Sequence, residues 1–209
     1  MDTKLPQVPW TRIAWGVTAF LCVGVALFSY RWLGPPNASM APAVLANLFA
    51  KPWLVVHVAG AATALLVVGF QLLPALRRRR ALHRWLGRVY AAACIVGGAS
   101  GLVVAVGTTA GPVAAWGFGL LAVAWLYTTS QGWLTARARR FDLHREWMLR
   151  SFALTFAAVT LRLYLPIAQV SHIPFEAAYP VIAWLCWVPN LVAAELYLRR
   201  DGLLRRQMA

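Results

Sequence analysis

The chain has 209 residues, 61% of them hydrophobic, and a formal net charge of +14 from 20 Lys and Arg against 6 Asp and Glu. With a mean hydropathy of +0.63, this composition excludes an ordinary soluble domain and describes a chain whose solvent is mostly lipid. The basic residues sit in short segments between apolar runs, with no separate soluble domain to carry them, so nucleic acid is excluded as the partner.

Six apolar runs follow one another, at about 12–33, 53–74, 84–106, 113–135, 147–169 and 175–198. Each has the length of about 20 residues that a helix needs to cross about 30 Å of hydrocarbon. Backbone polar groups in lipid must be satisfied within the segment, so an all-α bundle of six transmembrane helices in a single domain is expected. The first run resembles a signal peptide, and small residues ("SMAPA") follow it. Its length, and Arg31 and Trp32 at its end, indicate a retained helix. Trp10, Trp32, Trp53, Trp85, Trp133 and Trp147 lie near run ends, as an interfacial belt requires.

In the second run His57 heads a face carrying Ala61 and Ala64, with Gly60 nearby and Gln71 further along. In the third, residues 7, 11 and 18 positions after His83 share its face: Tyr90, Cys94 and Gly101, with Gly87 and Gly97 close to that line. Small residues at such positions admit close approach, by another helix or by a flat cofactor. The fifth run carries a polar stripe. Counted from His144, the same spacing gives Ser151, Thr155 and Arg162, and Gln169 continues it. Glu146 and Arg150 fall on another side, spaced for an i,i+4 ion pair. An arginine inside a span is costly and normally faces a protein interior, a water cavity or an anion.

Seventeen of the twenty Lys and Arg residues fall at the N-terminus, in the 74–84 and 135–150 connections and their flanks, and at the C-terminus. Only Arg31 and Lys51 fall on the opposite side, and Arg162 is internal. The positive-inside rule then places both termini in the cytoplasm, with 34–52, 107–111 and 171–176 outside. Anionic lipid at the cytoplasmic face is the expected partner of the arginines. Cys22, Cys94 and Cys186 lie within apolar runs and read as small buried hydrophobes; no spacing suggests a disulfide framework or a zinc site. Ser and Asp are too sparse for a hydrolase, and no nucleotide loop is present.

This topology puts His83 and His144 at the cytoplasmic boundary, and His57 and His172 near the outer one. Two histidines at each face suit two b-type haems, each taking one neutral imidazole from each of two segments. His83 with His144 would ligate an inner haem and His57 with His172 an outer one, with Arg162 compensating a propionate and Tyr90 beside the inner site. The chain then reads as an electron-transfer protein. Two alternatives stand beside it. The first is a small-solute carrier with Arg162, Gln169, His57 and Gln71 lining a cavity, against which no inverted repeat and no paired broken helices are evident. The second is a non-catalytic membrane assembly or scaffold protein.

The segments "HVAGAATALLVVGFQLLPALRRRRALHRWLGRVY", "HREWMLRSFALTFAAVTLRLYLP" and "AYPVIAWLCWVPNLVAAE" resemble the bacterial membrane-protein family known as domain of unknown function 2306, over about 53–196. The resemblance implies a multi-pass protein of the bacterial inner membrane and no particular activity. The positions that carry it are His57, Gln71, Arg77, His83, Arg84, Gly87, Arg88, Tyr90, His144, Arg145, Trp147, Met148, Arg150 and Arg162.

Overall fold

The computed structural model describes residues 9–34, 46–73, 76 and 78–207. Lys4, Arg77 and most of the 34–52 segment lie outside the described residues. Among the described residues the chain is helical with no β-strand. Six segments are long and apolar enough to cross a membrane: Ile13–Leu33, Lys51–Gln71, Arg80–Val106, Pro112–Arg137, Phe141–Val170 and Phe175–Gly202. The last four extend beyond the expected spans at the arginine-rich end, because hydropathy marks where lipid stops. The helix itself continues through Arg, Glu and Leu, which are good helix formers.

The first four spans are α1 (Pro9–Ser29, continued by a 3₁₀ turn Tyr30–Leu33), α2 (Val55–Gln71), α3 (Arg80–Val106) and α4 (Pro112–Arg137). The fifth and sixth are each made of two helices. They are α5 (Phe141–Thr155) with α6 (Ala157–Val170), and α7 (Phe175–Leu185) with α8 (Val188–Gln207). Each junction is a kink rather than an unwound gap: Phe156 and Cys186 keep right-handed helical dihedrals, and both spans run through as single membrane-length helices. In the sixth span the cause is Pro189, which lacks an N–H and whose ring disfavours continuation from the preceding turn. In the fifth span no proline lies at the kink. Instead Thr155 Oγ1 donates to the Ser151 carbonyl (2.8 Å), a back-bond of the kind that bends helices, and Thr160 Oγ1 donates across to the Cys186 carbonyl of the sixth span (2.5 Å). The two kinks are tied together: Asn190 Nδ2 donates to the carbonyls of Cys186 (2.9 Å) and Ala153 (3.4 Å) and to Thr160 Oγ1 (3.2 Å).

Sequential helices pack against one another: α1 on α2, α2 on α3, α3 on α4, α4 on α5. Contacts of α4 with α7, α5 with α8 and α1 with α6 close the bundle. The interior is small and mildly polar (Cys22, Ala64, Cys94, Ser100, Ser151, Ala183), while large apolar side chains such as Phe20, Val106, Trp116 and Val170 face outward. That distribution inverts the soluble pattern and is what a lipid solvent requires.

Candidate functional site

The closest helix contact sets the stage. A Cβ on Gly60 of α2 would lie 2.5 Å from the Gly97 nitrogen of α3, so only glycine lets these backbones touch. One turn before Gly60, His57 covers Gly101, where a Cβ would come within 2.8 Å of the imidazole Nδ1. That Nδ1 is hydrogen-bonded to the Gly97 carbonyl at 2.8 Å. The small-residue face of α3 is thus covered here by a neighbouring helix and by the His57 ring.

Nearer the middle of the bundle lies a buried polar layer. Tyr90 Oη of α3 bonds Ser151 Oγ (2.8 Å) and Thr155 Oγ1 (2.7 Å) of α5. From α4, Trp125 Nε1 donates to Thr155 Oγ1 (2.9 Å) and Thr129 Oγ1 bonds Ser151 Oγ (2.7 Å). Each group satisfies another, which is the condition for keeping hydroxyls in an apolar interior. Ser151 and Thr155 thus face inward, as their helical spacing requires, and both are buried.

Between this layer and the helix ends away from the arginine-rich connections opens a cavity of about 580 Å³, to which all six spans contribute. This is the size of a small-molecule site. Its walls are mainly apolar, but His57, Arg31 and Arg162 line it. Arg31 lies over the Phe28 ring at 3.7 Å, and its buried Nε has no hydrogen-bond partner among the described residues. Arg162 Nη1 donates to the Ala158 carbonyl, 2.9 Å away on its own helix. A guanidinium carries five N–H donors, so most of these remain for something in the cavity. Both guanidiniums thus belong to the lining of one cavity.

No carboxylate answers them among the described residues. Glu176 is exposed and is not in the lining. Glu146, Glu195 and Asp201 are engaged at the opposite end, by Arg150 (3.7 and 2.5 Å) and Arg145 (2.7 Å). The cavity therefore holds two uncompensated positive charges among apolar walls, an arrangement favourable to an anion.

The remaining candidates lie elsewhere. Gln169 is exposed, and His172 is exposed in the turn after α6 at φ +55°; neither lines the cavity. His83, in the first turn of α3, is fourteen residues, about 21 Å, down the helix from Gly97. His144 is at the same end, its Nδ1 bonded to the Gly132 carbonyl of α4 at 2.8 Å. Gln71 lies at that end too, with Nε2 3.9 Å from where a Gly87 Cβ would stand. Of the four carrier residues expected from sequence, His57 and Arg162 thus share one cavity and Gln71 and Gln169 do not. Among the described residues, no three His, Cys, Asp or Glu side chains gather on one point.

Sequence reasoning did not single out Arg31, Trp125, Thr129 or Asn190. Arg31 looks like any basic residue at a span end, and nothing local distinguishes it. Asn190 had a signal, since "VPN" puts a proline and an amide in the middle of an apolar run.

No curated protein and no solved structure matches this chain. Residues 54–198 do match the family described as predicted membrane protein DUF2306. That segment takes in α2 through most of α8 and with them His57, Tyr90 and Arg162, so the chain belongs to the DUF2306 family of membrane proteins.

Proposed function

We propose that the protein is a small membrane carrier that binds an anionic solute in the cavity between Arg31 and Arg162. The observation that carries this reading is the pair of guanidiniums facing one cavity with no carboxylate among the described residues lining it. A second feature favours carriage over passive binding. The kinks of the fifth and sixth spans meet at the cavity, where Thr155, Ala157 and Cys186 line it, and a carrier must rock or bend its spans around its site. In the orientation favoured by the arginine distribution, both termini are cytoplasmic and the cavity lies toward the outer leaflet of a bacterial inner membrane. The arginine-rich end then lies against anionic lipid of the cytoplasmic leaflet.

The test is uptake of a panel of labelled organic anions into proteoliposomes. Arg31→Gln and Arg162→Gln should each reduce uptake of the transported anion at least tenfold while thermal unfolding in detergent still reports a folded protein. Uptake unchanged in both variants would overturn the reading.

A second reading, b-type haem, rests on the His57 ring. Its Nδ1 is held by the Gly97 carbonyl, which leaves Nε2 for a metal in the manner of ligating imidazoles. The neighbouring guanidiniums suit propionates. A reduced-minus-oxidised spectrum of protein from haem-replete cells decides it. Sharp haem bands lost in His57→Ala support an outer haem, and bands lost in His83→Ala or His144→Ala an inner one. A colourless folded protein ends the haem reading.

A further inference from the structure

Resting on the anion-carrier reading, we infer that the ligand is an amphiphile, an oxyanion head on a long apolar tail, that enters sideways from the bilayer. The first argument is the order of residues along the cavity. Arg31, His57 and Arg162 lie toward its outer part. Its floor, one to two helical turns deeper, is made of Leu65, Leu121, Trp125 and Leu154 above the polar layer. The cavity is thus cationic outside and apolar inside, the polarity of an anionic lipid in the outer leaflet. Such a molecule can slide in without turning over, whereas a small hydrophilic anion would leave the apolar floor unfilled.

The second argument is the mouth. Phe28 and Pro166 both line the cavity, yet both are exposed on the outer surface, Phe28 by 51%. Phe28 is five residues inside the end of its span at Leu33, and Pro166 is four inside the end of α6 at Val170. We place the opening between them, at a depth where it faces acyl chains. They belong to neighbouring helices, since α1 packs on α6. Arg31, stacked on Phe28, stands beside this opening. Its charge is satisfied there by a headgroup that remains near the interface while the tail goes in.

Two experiments test this on the intact protein in neutral maltoside. In the first, native mass spectrometry compares phosphatidic acid and palmitate with phosphatidylcholine, inorganic phosphate and acetate. The expected result is one bound phosphatidate or palmitate per chain, at least tenfold tighter than phosphatidylcholine and than either small anion, with that preference lost in Arg31→Gln/Arg162→Gln. In the second, phosphatidic acid carrying a diazirine in its tail is photolysed on the unaltered protein. Label on Leu121 and Trp125 supports entry of the tail; label confined to the lipid-facing Leu120 and Val123 of the same helix overturns it. Small anions binding as tightly as the amphiphiles would overturn the inference and leave the carrier reading intact. No anion of either kind bound more tightly than phosphatidylcholine would overturn both.

Discussion

Gln169, at the end of the same helix, lies seven positions beyond Arg162, about 10 Å away. That is short enough for an arginine to reach partly toward headgroups, yet its guanidinium lines a cavity and bonds Ala158. The period of 3.6 explains how far such a placement is legible: Ser151, Thr155 and Arg162 share one face because the helix forces them to. It does not say what meets that face. For Ser151 and Thr155 the answer is Tyr90, Trp125 and Thr129, from two other helices. Tyr90→Phe removes the hydroxyl that joins Ser151 to Thr155, and interhelical hydrogen bonds in membranes are worth about 0.5–2 kcal/mol each. We expect a loss of stability of that order, read as a lower unfolding temperature in detergent. Gly60→Ala pushes a methyl onto the Gly97 backbone at 2.5 Å, and overpacking of this kind costs about 1–3 kcal/mol. It should be the more damaging change, and Gly16→Ala, which meets nothing within 4 Å, should be silent in the same assay.

At the level of elements, the fifth and sixth spans look straight by hydropathy and are each kinked in the structure. Hydropathy reports side-chain transfer from water, and a kinked helix in lipid stays apolar. What kinks it is local backbone chemistry, visible at Pro189 and nearly invisible at Thr155, because back-bonding depends on the rotamer. Asn190 connects the two kinks through two acceptors on the fifth span, the Ala153 carbonyl and Thr160 Oγ1, beside the Cys186 carbonyl of its own span. Asn190→Leu leaves those acceptors with fewer donors and is expected to cost about 1–3 kcal/mol. Transport should fall further than stability if the kinks move during carriage. Uptake rates in proteoliposomes, set beside unfolding temperatures, separate the two effects. A fall in neither would show that the amide tie is idle.

Across the whole molecule, the proposed orientation makes a direct prediction. All three native cysteines are buried, so introduced ones give a clean signal. Thr109→Cys, in the turn between α3 and α4, should react with a membrane-impermeant maleimide on intact cells. Ala138→Cys, in the arginine-rich turn after α4, should react only after the cells are opened; the reverse pattern would invert the proposed topology. At that same end Arg145–Asp201 joins α5 to α8, but its side chains are 43% and 29% exposed. Exposed pairs contribute little, so Asp201→Asn should cost less than about 1 kcal/mol and leave the six-span layout unchanged.

Length, apolar runs and the position of charge were enough, by themselves, to determine a six-span helical membrane protein and which residues of a span share a face. Those properties follow from the transfer of each residue between water and lipid and from the repeat of a single helix. Only the tertiary structure decided which faces meet: that Gly60 and Gly97 close α2 on α3, that Tyr90, Ser151 and Thr155 satisfy one another, and that Arg31 from the first span shares a cavity with Arg162 from the fifth. Arg31 and Arg162 are 131 residues apart, and no local pattern relates them. Their relation comes from the packing of all six spans, which is the property of the fold that lies furthest from the sequence.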